Sequence, residues 1–435
     1  MYIKAMLFAG VACYGTYIWA FSSVITDTKT EQDEQTGAVT VTYKLTGEDA
    51  VITADVQTNS AQNKAWASIG PANYTGMTGE VWKKVTADGS VRTISWPTLA
   101  DGETKPPKFD KHVRVVLTAW STNAPPDYLV IDLTKEEVPA YYPDEVLLPK
   151  GGSVQNRAYK DRYLLMKRIH AAGVVWISGN SEYAKSQTTS GWRLPYDISH
   201  PVMLTRDYYI GVYELTAAQH AWITGGDQPT EGPRKPKNWI GHSNLRGTSK
   251  GVAFPVFTDG EFDYLKSAEV DSGSVMAQLR GKVDNALLFD LPTWAQWEFA
   301  ARAGSRSLLP GNLTFSAANV QKFARYEDNV SDGKDCEGLT GGLATVGSYQ
   351  ANAFGLYDML GNVKEPVLDR QGEVVDVNCV TVDPVGGTSD DKKSTRKHVG
   401  SGYNCQRTGT YIGPYWTVTG YGDGASGCRV ALTLW

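Results

Sequence analysis

The stretch NAFGLYDMLGNVKEPVLDR (Asn352–Arg370) decides how the chain is read. Gly355 and Gly361 punctuate an aromatic-containing run, with Asp358 between them. Asn362, Val363 and Glu365 follow, and Pro366 stops the pattern. Glycine permits backbone turns that other residues resist. Glycines, an amide and acids crowded together describe a loop whose backbone folds around something. What it holds has to be read from the rest of the chain.

At 435 residues the chain has room for two or three domains. Hydrophobic residues make up 41%, ample for packed cores, and a net charge of −5 opposes a nucleic-acid binder, whose footprint is a basic face. The abundance of Gly, Tyr and Trp goes with turns, short strands and irregular loops. In residues 1–26, Lys4 precedes AMLFAGVACYGTYIWAF, and Ser22 and Ser23 follow. A basic start, an apolar run and small residues make a secretory signal peptide, so the mature protein is expected to be extracytoplasmic. An uncleaved anchor is the alternative, at the short limit for a span. No membrane span is expected in the mature chain. Beyond the leader lie Cys336, Cys379, Cys405 and Cys428; an even count in an exported chain permits disulfides, in any of three connectivities. No CxxC, HxxxH or HxH is present, so no zinc ribbon or histidine metal site is expected.

Residues 27–134 read as all-β. TVTYKL, AVITADVQT, KHVRVVLTAW and DYLVIDLT alternate apolar and polar residues at period two, the mark of a β-sandwich domain. Residues 135–160 carry Pro139, Pro143, Pro149 and Gly151-Gly152 and fit a linker. Two helices follow in 161–435. LTAAQHAWITGG (Leu215–Gly226) has Thr216 as N-cap and a glycine stop. LPTWAQWEFAARAG (Leu291–Gly304) has Thr293 as N-cap and Gln296 completing a capping box, and Trp294, Trp297, Phe299 and Ala301 imply burial. Two helices among long loops do not make a doubly wound sheet; the second domain reads as α+β with much irregular structure.

Several segments, in this order, resemble the formylglycine-generating enzymes, the FGE-sulfatase or sulfatase-modifying-factor family. MKRIHAAGVVWISGN (Met166–Asn180) resembles their opening strand pair, and HPVMLTRDYYIGVYELTAAQHA (His200–Ala221) their strand-then-helix segment. LPTWAQWEFAARAG resembles their second helix, NAFGLYDMLGNVKE their most recognisable loop, and GCRVAL (Gly427–Leu432) their closing strand. The resemblance implies a variant of the C-type lectin fold, shared by enzymes and by display proteins, so fold alone does not settle function. It also implies calcium at the opening loop, held by the Asp358 side chain, the Gly361 and Val363 carbonyls and the Glu365 carboxylate, hard oxygens for a hard cation. A second calcium site is implied in EDNVSDGKDCEG (Glu327–Gly338), at Asn329, Asp332 and Asp335. Lys364 and Pro366 stand where the family packs two aromatics.

The family's chemistry uses two cysteines five residues apart to hold copper(I). Here Cys405 falls at the first position and Thr410 at the second, so copper is not expected and Cys405 is left as a lone catalytic candidate or a half-cystine, with Cys428 as one partner. GTSKG (Gly247–Gly251) matches G-x-S-x-G but lacks a strand before it and a helix at once after it. Asp376 and Asp383 read as solvated loop acids. Tyr403, Tyr411, Tyr415, Trp416 and Tyr421, interleaved with small polar residues, form a candidate ligand-binding face for a protein, peptide or glycan, or else core. The leading expectation is a secreted, calcium-stabilised binding or accessory protein without formylglycine chemistry. The alternatives are an oxidoreductase acting on sulfatases or another protein with altered metal ligands, and a structural surface module.

Overall fold

The computed structural model describes residues 22–434, except 61, 71–75, 98–105, 137, 181–197, 249–256, 259–260, 263–268, 332, 371–377, 385–395, 407–410, 413 and 417–423, and the side chains of 257–258, 261–262, 370, 396–397 and 414–416. The signal peptide expected over 1–26 lies outside it except for its last residues. Of those, Val24, Ile25 and Thr26 belong to a strand, β1 (Val24–Gln32), which pairs with β2 (Val39–Thr46) from Val24 onward.

The N-terminal unit is all-β. After β1 and β2 come β3 (Ala50–Thr58), β4 (Ala67–Ser68), β5 (Thr78–Gly79), β6 (Lys83–Val85), β7 (Val91–Trp96) and β8 (Val113–Ser121). One sheet runs β1-β2-β7-β5; in the other, β3 pairs with β4, β6 and β8. Val39, Val41, Tyr43 and Leu45 of β2, every second residue, share one core with Ile52, Ala54 and Val56 of β3. Side chains at period two point to one face of a strand, which is why the alternation was readable.

The boundary falls earlier than expected. DYLVIDLT forms β9 (Tyr128–Asp132), and it belongs to the second unit, not to the first. The presumed linker 135–160 supplies a strand, β10 (Ala140–Tyr142), and a short helix, α1 (Ala158–Asp161). β11 (Tyr163–Ile169) and β14 (Tyr208–Gly211) join β9 and β10 in a five-stranded sheet, while β12 (Val175–Ser178) and β13 (His200–Met203) belong to another. The order of the five-stranded sheet is β10-β9-β11-β14 and a last strand at Ala431–Thr433. Period-two patterning identifies a strand but not its sheet; the partner decides that. The Tyr209 hydroxyl bonds to the Pro126 carbonyl, and Arg168 Nη1 donates to Pro125 O at 2.5 Å, so residues 125–127 are tied to the second unit. The two units also touch: Trp82 stacks on Tyr142 at 5.1 Å. The strand pair expected in Met166–Asn180 exists as β11 and β12, but in different sheets, since β12 pairs with β13.

Helices cover both faces of the five-stranded sheet. On one face α2 (Ala217–Thr224), α3 (His242–Leu245) and α4 (Val275–Gly281) pack Ile223, Leu245 and Met276 against Leu164, Met166 and Tyr209. On the other, α5 (Trp294–Arg302) and α6 (Ala317–Phe323) pack Trp297, Ala301 and Val320 against Tyr208 and Ile210. The expected capping box at Thr293/Gln296 is present, the expected N-cap Thr216 forms a second one with Gln219, and Gly225 ends α2 in the left-handed conformation at φ 68°. Phe299 is only half-buried; it meets Trp176 edge-on at 5.5 Å. The architecture is mixed α/β, mostly sheet with few helices.

Thr293 Oγ1 accepts the Gln296 N–H at 3.1 Å while Gln296 Oε1 accepts the Thr293 N–H at 3.0 Å. Thr293→Ala should therefore lower unfolding stability by about 1–2 kcal/mol in urea titration, and Thr293→Ser should retain most of it.

Candidate functional site

The opening loop folds around a carboxylate. Leu360–Gly361 runs parallel to Ala324–Arg325, and Gly361 adopts φ 74° so closely against Arg325 that a Cβ would collide with its carbonyl. Only glycine fits there. Asn362 N then donates to Arg325 O at 2.8 Å. Asn362 Nδ2 donates to Glu214 Oε2 at 2.7 Å, and Val363 N to Glu214 Oε1 at 3.0 Å. Glu214 is fully buried and sits two residues before the Thr216 cap of α2. Burial, then the neighbouring Asp358 and Glu365 charges, push its carboxyl well above the usual range.

Beside it lies a buried ion pair. Glu365 Oε1 receives Arg429 Nε at 3.0 Å and Nη2 at 2.8 Å, and Glu365 Oε2 receives Trp297 Nε1 at 2.6 Å. The same guanidinium donates to the carbonyls of Gly211 (2.9 Å), Tyr357 (2.8 Å) and Asp358 (3.2 Å). Pro366 does not end this segment: Glu365 and Pro366 begin a strand over Glu365–Arg370 that pairs with Arg396–Val399. Proline is tolerated near the start of a strand, where its missing N–H costs least. Asp358 adopts φ 54° and accepts Gly347 N–H at 2.6 Å on Oδ2, while its buried Oδ1 has no partner. Burial raises its carboxyl to about 6, against the opposing pull of the Gly347 N–H, Arg429 and Lys160.

Glu365, Asn329 and Asp335, three of the side chains expected to hold calcium, are engaged by other groups. Both Glu365 oxygens are taken by Arg429 and Trp297, and a divalent cation there would face a guanidinium. In the second loop, Asn329 Oδ1 accepts Tyr326 N–H (2.9 Å), and Asp335 accepts the N–H groups of Glu337, Leu339 and Thr345. Those bonds hold Asp335 below the usual carboxylate range although burial works the other way. Asp332 lies outside the described residues. These side chains hold backbone, and among the described residues no cluster of three His, Cys, Asp or Glu is placed to hold a metal.

Cys405 is buried; its Sγ accepts the Gly402 N–H at 3.3 Å, and its carbonyl accepts the Glu327 N–H at 3.1 Å. Thr410 lies outside the described residues. The expected disulfides are not formed: Cys336 and Cys379 are exposed thiols, and Cys405 and Cys428 are buried ones. Cys428 belongs to the core on the α2 side, where burial pushes its thiol up. The residues present do not fit a copper(I) ion, which needs a second thiolate beside Cys405. Of the candidate binding aromatics, Tyr411 is buried and Tyr403 half-buried; the side chains of Tyr415 and Trp416, and all of Tyr421, lie outside the described residues. Asp383 is not a free solvated acid: its Oδ1 accepts the Thr205 N–H at 2.9 Å and its Oδ2 the Thr205 hydroxyl at 2.5 Å. Asp376 and the end of GTSKG lie outside the description.

A cavity of about 440 Å³ opens elsewhere, between Asp127, Tyr128, Lys167, His170 and Phe354. Its charges are already compensated, since Asp127 accepts Lys167 Nζ at 2.8 Å and faces His170 Nε2 at 2.9 Å. Sequence reasoning missed Glu214, Arg325 and Arg429. GCR in the closing strand was the readable signal for Arg429; nothing local marks Glu214.

Asp358 gives a pH test. Its folded carboxyl titrates near 6, above the ordinary 3.8, so the folded state holds its proton over that window. The stability it contributes is complete below about pH 4 and is lost as pH rises through 6. Asp358→Asn, which keeps an acceptor for Gly347 and tolerates positive φ, should raise the urea midpoint at pH 7.5, for a gain in unfolding free energy of up to about 3 kcal/mol. The gain should vanish near pH 4. A lower midpoint in calcium buffer would show that this carboxylate holds a cation after all.

Three comparisons bear on identity. Residues 139–413 match the model of the FGE-sulfatase family, described as the sulfatase-modifying factor enzyme 1-like domain. The chain is 30% identical over 184 residues to chaperone protein LppX of Paenibacillus barcinonensis, covering 37% of this chain and 61% of that protein. It is 36% identical over 84 residues to the formylglycine-generating enzyme of Mycobacterium tuberculosis (strain ATCC 25618 / H37Rv), covering 17% of this chain and 25% of the enzyme. The chain thus spans less than two thirds of either relative's length. Among solved structures, PvdO from Pseudomonas aeruginosa is 20% identical with a TM-score of 0.45, covering 62% of this chain and 95% of PvdO. Treponema denticola variable protein 1 is also 20% identical, with a TM-score of 0.43 and the same coverage. With most of the second unit matched by the family model, the chain belongs to the FGE-sulfatase family, that of the sulfatase-modifying factor enzyme 1-like domain.

Proposed function

We propose that this protein is an extracytoplasmic binding or accessory member of the FGE-sulfatase family, without formylglycine chemistry, on a C-type lectin-like scaffold with an N-terminal β-sandwich. The observation that carries the reading is Cys405: a single buried thiol engaged with the Gly402 N–H, with threonine at position 410. Copper(I) in a two-thiolate site needs two soft, deprotonated ligands, and a hydroxyl supplies neither property. The apolar leader supports export. Similarity to a protein named a chaperone supports an accessory role toward another protein, and the cavity beside His170 offers room for part of a ligand.

The family oxidation replaces a substrate thiol with an aldehyde, so it is read directly by mass. Incubated with a Cys-x-Pro-x-Arg peptide, with or without added copper, the protein should leave the peptide mass unchanged. Thr410→Cys alone should not create activity, because Lys364 and Pro366 still replace the aromatics expected beside the loop. Multiple-turnover conversion of the peptide cysteine by the unaltered protein would overturn the reading and make it an oxidoreductase.

A further inference from the structure

The acidic loop over Glu327–Gly342 contains a cation, and it is supplied by the chain. Arg325 is fully buried, and four hydrogen bonds of its guanidinium end on backbone carbonyls of this loop, with the Tyr349 hydroxyl a further partner. Nε donates to Gly342 O (3.0 Å), Nη1 to Asn329 O (2.8 Å) and Gly333 O (2.6 Å), and Nη2 to Val330 O (2.9 Å). The loop wraps the guanidinium as an oxygen cage wraps a hard metal ion. Gly333 permits this approach, since a Cβ there would collide with Asn329 O and press on Arg325 Nη1 at 3.0 Å. The side chains of Asn329 and Asp335 fasten the rim rather than face that centre. Asn329 bonds Tyr326 N and Ala324 O, and Asp335 bonds the three N–H groups named above.

We propose that Arg325 is the structural cation of this loop, and that the loop therefore folds and persists without calcium. Two requirements point the same way. Loop carbonyls buried from water need donors or a cation, and the planar guanidinium, with five N–H groups in a fixed fork, meets four of them at once. A calcium ion would have to displace the guanidinium and leave a buried charge without partners, which costs several kcal/mol. The cage has room for one cation, and the chain's own is there at any calcium concentration.

The test compares thermal unfolding of the full chain in EDTA and in millimolar calcium, with hydrogen exchange followed on the peptides covering 326–342. For the unaltered protein, both readouts should be the same in the two buffers. Arg325→Met should speed exchange across 329–342 by at least tenfold, in either buffer. Arg325→Lys, whose ammonium has only three donors, should fall between. Should Arg325→Met fail to fold, the lysine variant and the EDTA comparison still decide. The proposal is overturned if EDTA speeds exchange of 326–342 in the unaltered protein and calcium restores it. It is equally overturned if a folded Arg325→Met or Arg325→Lys exchanges there like the unaltered protein.

Discussion

The Arg429–Glu365 pair is the joint on which the second unit depends. Arg429 stands just before the last strand, and its three carbonyl partners belong to the end of β14 and to the turn at Tyr357–Asp358. Glu365 opens the next strand and reaches Trp297 in the middle of α5. One ion pair thus fixes the central sheet, the glycine-rich loop and a buried helix relative to each other. Both side chains are at most 1% exposed, so neither could be removed alone without leaving an uncompensated charge. Breaking such a pair typically costs 3–5 kcal/mol, even where the intact pair adds little net stability.

That joint carries an electrostatic burden. Glu214, Asp358 and Glu365 place three carboxyls around one guanidinium, all buried. The upward push on the Glu214 and Asp358 carboxyls is the response: burial and the neighbouring negative charges disfavour their charged forms. Glu214 keeps both oxygens occupied by Asn362 and Val363, so it positions the loop backbone in either protonation state. The loop's glycine and asparagine at positive φ follow from this, because they must present an amide and a peptide N–H to one carboxyl group.

What could be read from sequence divides along physical lines. The cap at Thr216 and the capping box at Thr293 were legible because a cap's partner lies three residues away. The alternation in β2, β3 and β8 was legible because a strand's period is local. The membership of Tyr128–Asp132 was not, since its partners lie at Ala140–Tyr142 and Tyr163–Lys167 and only pairing distinguishes the two sheets. The family was readable from the order of its motifs. The surroundings of the loop's acids were illegible for a related reason: acids clustered in sequence look like metal ligands until their donors are placed. Glu365 meets Arg429 across 64 residues, and Glu214 meets Asn362 across 148. The tyrosines of 403–421 illustrate the remaining ambiguity, for a core aromatic and a surface one are spelled alike, and Tyr411 proved to be core.

A domain with so much irregular backbone has to satisfy carbonyls that helices and sheets would otherwise pair. Arginine answers that need repeatedly here. Arg325 serves four carbonyls, and Arg429 serves three and a carboxylate. Arg302 joins Glu298 to the carbonyls of Gly179 and Ser307, tying α5 to the end of β12. Arg246 spans Asp290 and the Glu269 carbonyl. A metal ion could fill such a role, but its contribution would vary with its concentration and be lost to a chelator. A guanidinium is delivered with the chain and stays charged at any physiological pH. The carboxylates that looked like ligands are then free to fasten backbone and to balance arginines. The acidic loops, the buried arginines and the scarcity of regular structure are in this way three aspects of one solution to the same hydrogen-bonding problem.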